Sequence, residues 1–143
     1  MQRDRGEVGD EMPGPDGPRD GWTIVDCGIH NEATHAAWDQ VFATALQGLP
    51  VLRVLVTHMH PDHIGLAHWL CQRWNVALWI SATDYKVARF ACMGPTAFGG
   101  DRAADFFAAH GLNAPDMVAQ IRGRTNYFPS LVPSVPESYR RML

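Results

Sequence analysis

Apolar positions along the chain change period several times, and each change predicts an element. Trp22-Thr23-Ile24-Val25-Asp26 is rich in β-branched and aromatic residues and runs out at Gly28, which predicts a short strand. From Glu32 to Gln47 the apolar residues Trp38, Val41, Phe42, Ala45 and Leu46 follow helical spacing behind a capping Asn31, and Gly48 and Pro50 close the helix. Val51 to Val56 is too short for a helix and dominated by Val and Leu, as in a buried strand. Ile64, Leu66, Ala67, Leu70 and Cys71 then predict a helix from about Asp62 to Trp74. Val76 to Ile80 is a further strand, and Ser81 with Asp84 forms a capping arrangement that opens a helix to about Cys92.

Strand and helix thus alternate three times, the pattern of a parallel or mixed sheet covered by helices. The last third changes character. Asp101 to His110 is helical up to Gly111, Pro115 opens a short helix to about Arg122, and Pro129, Pro133 and Pro136 predict an irregular segment. Residues 1–20 carry too little apolar surface to offset ordering entropy and are expected to form a disordered tail. Order is expected over 21–143, with a helical region from about 97 to 143.

Composition narrows the possibilities only slightly. With 46% hydrophobic and 19% charged residues, the chain has the balance of a globular domain. A net charge of -3 offers no positive field for phosphates, so no nucleic-acid partner is expected. No apolar run reaches the roughly 20 residues of a membrane span, so no membrane partner is expected either. Cys27, Cys71 and Cys92 are widely spaced and odd in number, which implies a reducing compartment rather than a disulfide framework. The N-terminal stretch lacks the apolar core of a signal peptide, and a cytoplasmic location is expected.

The chemistry gathers in His58-Met59-His60-Pro61-Asp62-His63, directly after the Val51–Val56 strand. His58, His60 and Asp62 are spaced by two, so an extended loop projects them to one side. Pro61 restricts His60 to extended backbone, and His63 follows at the start of the next helix. Three imidazoles and a carboxylate in so short an arc suit Zn²⁺, and also Fe or Mn.

This run resembles the His-x-His-x-Asp-His signature of the metallo-β-lactamase superfamily, and Asp26-Cys27-Gly28 resembles the family's Asp-x-Gly strand end. The resemblance covers roughly residues 21–92, and it implies one partial domain over 21–143 with 97–143 as a helical, lid-like insertion. It implies an α+β fold, the first half of an αββα sandwich, and a metal-dependent hydrolase. His58 and His60 are implied as ligands of a first metal, Asp62 and His63 as ligands of a second, and Asp26 as an outer-shell residue that orients them. Two divalent metals, zinc above all, are implied, with a water or hydroxide between them as nucleophile and Asp62 helping to orient it. The substrate implied is a small molecule with an ester, thioester, amide or phosphodiester bond.

The family's remaining ligands lie after further strands, and no Gly-His or Gly-Asp strand end follows residue 92. The chain is therefore expected to hold a partial site that binds metal weakly and turns over slowly or not at all. A half-sandwich also leaves a sheet face and edge open, so self-association is expected there. The alternative reading is a truncated, non-catalytic fragment that retains a weak partial metal site. Other histidines are weighed as ligands too. His30 and His35 flank the first helix near Asp26, while His68 and His110 are expected to be structural. Cys27 is expected as a small buried residue rather than a third ligand.

Overall fold

The computed structural model describes residues 2–5, 20–94 and 99–142. A five-stranded sheet organises them, in the order β1 (Gln2–Arg5), β2 (Asp20–Val25), β3 (Val51–Leu55), β4 (Leu78–Ile80) and β5 (Tyr139–Arg141). β1 runs antiparallel to β2, and every other neighbouring pair is parallel. Helices α1 (Glu32–Thr44), α2 (Pro61–Ile64), α3 (Ala67–Trp74), α4 (Ala82–Cys92), α5 (Gly100–Ala109), α6 (Pro115–Gly123) and α7 (Tyr127–Leu131) make the connections. Because β2 to β5 are adjacent in chain order, right-handed crossovers bring the connecting helices to one face of the sheet.

Register divides the sheet into two unlike faces. Ile24, Val54 and Leu78 are aligned across β2, β3 and β4, and all three are fully buried with Ile80 and Val56. α3 packs on β3 and β4 above them. Burying a side chain of this size contributes about 1.5–3 kcal/mol, which makes this layer the main source of stability. Val25, Leu55, Trp79 and Arg140 are aligned on the other face, where the first three stay half-buried and the Arg53 guanidinium lies 5.3 Å from the Trp79 ring centre.

The first two α/β units follow the apolar pattern closely. Asn31 caps α1 by accepting the Thr34 amide, and Ser81 caps α4 by accepting the Asp84 amide. α1 buries no residue completely. It docks through half-buried Trp38 and Phe42, and the Trp38 Nε1–H donates to the Cys27 carbonyl at 2.8 Å.

Three expectations differ from what is observed. The helix expected over 62–74 is two helices, because the Leu66 amide donates to the Gly28 carbonyl at 3.2 Å instead of continuing the helical ladder. The segment expected to be irregular after Asn126 contains α7 and β5. Phe128, Val132 and Val135 enter the core, and Tyr139 stacks on Tyr85 with ring centres 3.9 Å apart. Tyr85 Oη–H is shared between the Pro136 and Glu137 carbonyls at 2.8 and 2.6 Å, which holds the approach to β5. At the N-terminus, Gln2–Arg5 pairs with Asp20–Thr23 as a strand although a tail was expected there, since main-chain ladder bonds need no apolar side chains. Residues 1 and 6–19 of that expected tail, and residues 97–98 and 143 of the expected insertion, lie outside the described residues. No helix among the described residues is long and apolar enough to cross a membrane.

Candidate metal centre

The His-rich run leaves the C-terminal end of β3, the end where ligands gather in open parallel sheets. Val56 and Met59 are buried and Pro61 is buried at the first position of α2, so the backbone of the run is sunk while its polar side chains face out. His60 adopts φ -61, ψ 146, the extended conformation that a following proline demands. The extended stretch ends there. Asp62 belongs to the first turn of α2, so the two-residue alternation expected of His58, His60 and Asp62 stops at His60, where Pro61 starts the helix.

The three imidazoles lie together. Ring centres of His58 and His60 are 4.7 Å apart and nearly perpendicular, and those of His58 and His63 are 3.9 Å apart. His60 and Asp62 are exposed, while His58 and His63 are half-buried. The Asp62 carboxylate approaches His63 Nε2 at 3.4 Å.

Behind the rings, Asp26 and Thr57 form a shared support. Asp26 has a left-handed backbone (φ 57), a conformation that a short polar side chain tolerates better than most. Its Oδ1 accepts the Thr57 amide at 2.9 Å, its Oδ2 meets His63 Nδ1 at 2.9 Å, and the Thr57 hydroxyl lies 3.0 Å from both oxygens. Burial alone raises the Asp26 carboxyl. The Thr57 amide, His63 and the Thr57 hydroxyl outweigh it and hold the group below its ordinary value, so it is an acceptor at neutral pH. The Thr57 hydroxyl has one proton to give. If it goes to Asp26, the hydroxyl oxygen accepts from His58 Nδ1, 3.0 Å away. Asp26 and Thr57 thus lie against Nδ1 of His63 and His58, and they support the two rings from the same side. Sequence reasoning passed over Thr57; its position directly before His58 was the available signal.

The Asp26 loop and the His-rich run are also joined through their backbones. The Cys27 amide donates to the His63 carbonyl at 2.7 Å. At Gly65, a Cβ would stand 2.6 Å from the Gly28 carbonyl oxygen, 2.7 Å from that of Pro61 and 2.8 Å from the His30 nitrogen. Only glycine permits this approach.

The donor chemistry fits a divalent metal. However, among the described residues no group of three or more His, Cys, Asp or Glu is arranged to hold one. The loop brings suitable donors to one place without closing a coordination shell around them. The other candidates lie apart from this arrangement or are occupied. His30 Nδ1 and His35 Nε2 are 3.4 Å apart, and His35 packs edge-on against Trp69. His68 is on α3, and its Nδ1 is buried without a hydrogen-bond partner among the described residues. His110 ends α5, its Nδ1 2.7 Å from the Phe106 carbonyl of its own helix. Cys27 is buried, and burial pushes its thiol well above the ordinary range, which suits a neutral core residue and not a thiolate ligand. An open cavity of about 680 Å³ lies between α5 and α6, lined by Leu112, Pro115, Val118 and Arg122 among others, with none of the His-rich run on its wall.

Comparison with known proteins places these observations. Residues 17–112, more than half of the chain, match the family model described as the metallo-beta-lactamase superfamily. Among solved structures, the chain is similar to a beta-lactamase domain protein from Burkholderia ambifaria, with 46% sequence identity and a TM-score of 0.76. That match covers 94% of this chain and 36% of the other, so the chain spans little more than a third of its relative. No curated protein matches.

Proposed function

The chain belongs to the metallo-beta-lactamase superfamily, whose members are generally hydrolytic and commonly bind divalent metals, and from that premise we propose that it carries part of the metal site of a hydrolase. His58 and His60 hold one metal, and Asp62 and His63 hold a second. Asp26 and Thr57 orient His58 and His63 from behind. Zinc is the metal proposed, because imidazole and carboxylate donors suit it, with iron or manganese as substitutes. When bound, such an ion lowers the pKa of a water molecule so that a nucleophile exists near neutral pH. The substrate proposed is a small molecule carrying an ester, thioester, amide or phosphodiester bond.

One observation carries this reading. The Asp26 carboxylate lies 2.9 Å from His63 Nδ1 and the Thr57 hydroxyl 3.0 Å from His58 Nδ1, as outer groups do when they orient imidazoles for a metal. A structural cluster of surface histidines has no need of such support.

The chain alone is proposed to bind zinc weakly and to turn over slowly or not at all, because a catalytic zinc usually has three protein ligands. Isothermal titration tests this directly. Weak binding that disappears in His58→Ala and His63→Ala is the expected result, and tight binding of two zinc ions per chain is the result that sinks it. The absence of a three-donor group among the described residues also supports a second reading, a non-catalytic piece that keeps only a weak site. Joining this chain to the part of the Burkholderia ambifaria relative that it does not cover separates the two. Zinc-dependent hydrolysis by the longer protein supports the first, and none supports the second.

A further inference from the structure

The His-rich run is gripped from a second direction, by the start of α4. Ser81 Oγ accepts the Asp84 amide at 3.0 Å, which is the first half of a capping box. The second half is missing. In a complete box the carboxylate three residues into the helix reaches back to the amide of the cap residue. The Asp84 carboxylate instead takes the Ser81 hydroxyl proton on Oδ2 at 2.5 Å and accepts the amide of Met59 on Oδ1 at 3.1 Å. Met59 stands between His58 and His60, and its own side chain is buried in the core.

We propose that Asp84 is a positioning residue for the metal loop, holding the Met59 amide and thereby the spacing of the His58 and His60 rings on either side. This rests on the metal-site reading above. Fixing the Met59 amide plane sets the backbone rotations that join it to His58. Those rotations carry the His58 ring, so a freed amide lets the near-perpendicular His58–His60 arrangement spread. A hydrogen bond to an ionised acceptor is about twice as strong as a neutral one, which makes a carboxylate an effective anchor here. Asp26 and Thr57 hold the rings of His58 and His63 from behind, and Asp84 holds the chain between His58 and His60. The two supports come from different elements and act on different atoms.

Three variants of the chain test this, read by zinc titration, by hydrogen exchange of the Met59 amide and by thermal unfolding. Asp84→Ala is expected to speed exchange at Met59 and weaken zinc binding by roughly 10–100-fold, the usual cost of losing an outer-shell support. Asp84→Asn keeps an oxygen that can accept the Met59 amide and is expected to recover most of that affinity. Ser81→Ala is expected to lower the unfolding midpoint through the lost cap and to weaken zinc binding less than Asp84→Ala does, because the bond from the Met59 amide to Asp84 Oδ1 remains. Unaltered zinc affinity or unaltered Met59 exchange in folded Asp84→Ala overturns the proposal while leaving the metal reading intact. An unsubstituted chain that binds no zinc overturns the metal reading, and this proposal falls with it.

Discussion

Two regions of this molecule are built on opposite plans. At the C-terminal ends of β2 and β3, the Asp26 loop and the His-rich run are locked by backbone contacts. The Cys27 amide reaches the His63 carbonyl, the Leu66 amide reaches the Gly28 carbonyl, and Gly65 lies against three backbone atoms. The α5–α6 pair is held mainly to itself. Arg122 bridges Asp101 and Asp105 across it, all on exposed side chains, and Phe106, Phe107 and Met117 remain exposed. Exposed ion pairs hold little, whereas backbone contacts in a buried joint leave almost no freedom. Side chains that must keep fixed places are therefore better held in the first region than in the second.

The largest test of this contrast is Gly65→Ala. The added methyl would meet three backbone atoms at 2.6–2.8 Å, none of them at the end of a flexible side chain. Relief requires moving the Asp26 loop away from the His-rich run, so overpacking at the upper end of its usual range is expected, about 3 kcal/mol. Urea unfolding measures it. A midpoint equal to that of the unsubstituted chain would show that the joint is loose and erase the contrast.

Next in size is Asp26→Asn. Asparagine tolerates the left-handed backbone at this position, and its side-chain oxygen can still accept the Thr57 amide. It cannot offer a carboxylate oxygen to both Thr57 and His63, so the support of the His63 ring through Nδ1 is weakened. Folding should change little, and zinc affinity should fall about 10–100-fold. A variant that loses stability but keeps its affinity would make Asp26 a purely structural residue.

How much of this was readable beforehand depends on which interactions are local. The Asn31 and Ser81 caps were legible because a cap is made within three or four residues. The buried strand Val51–Leu55 was legible from its apolar run, and the gathering of imidazoles after it from the closeness of His58, His60 and His63 in the chain. The break after Ile64 was not, because the Gly28 carbonyl that diverts the Leu66 amide lies far away in sequence. β5 was hidden for the same reason. Tyr139-Arg140-Arg141 has no strand pattern of its own and is ordered by pairing with β4 and by Tyr85. The left-handed Asp26 and the attachment of Asp84 to Met59 are likewise tertiary facts; the sequence marked Asp26 only through a family resemblance and Asp84 only as part of a cap.

The smallest expected effect repeats the substitution of Gly65 in the opposite region. Gly123, the last residue of α6, has nothing within 4 Å of the position that a Cβ would take, and its backbone does not enter the left-handed region. Alanine there removes freedom from the unfolded chain and adds helix propensity without meeting a neighbour. Gly123→Ala is therefore expected to stabilise the chain by about 0.5 kcal/mol, with zinc affinity unchanged. Measured beside Gly65→Ala, it turns the contrast into a sign. The same added methyl should destabilise where two backbones are joined and stabilise where a helix end faces open space. If Gly123→Ala instead destabilises the chain or alters zinc binding, the α5–α6 pair is coupled to the metal loop, and the two regions are one.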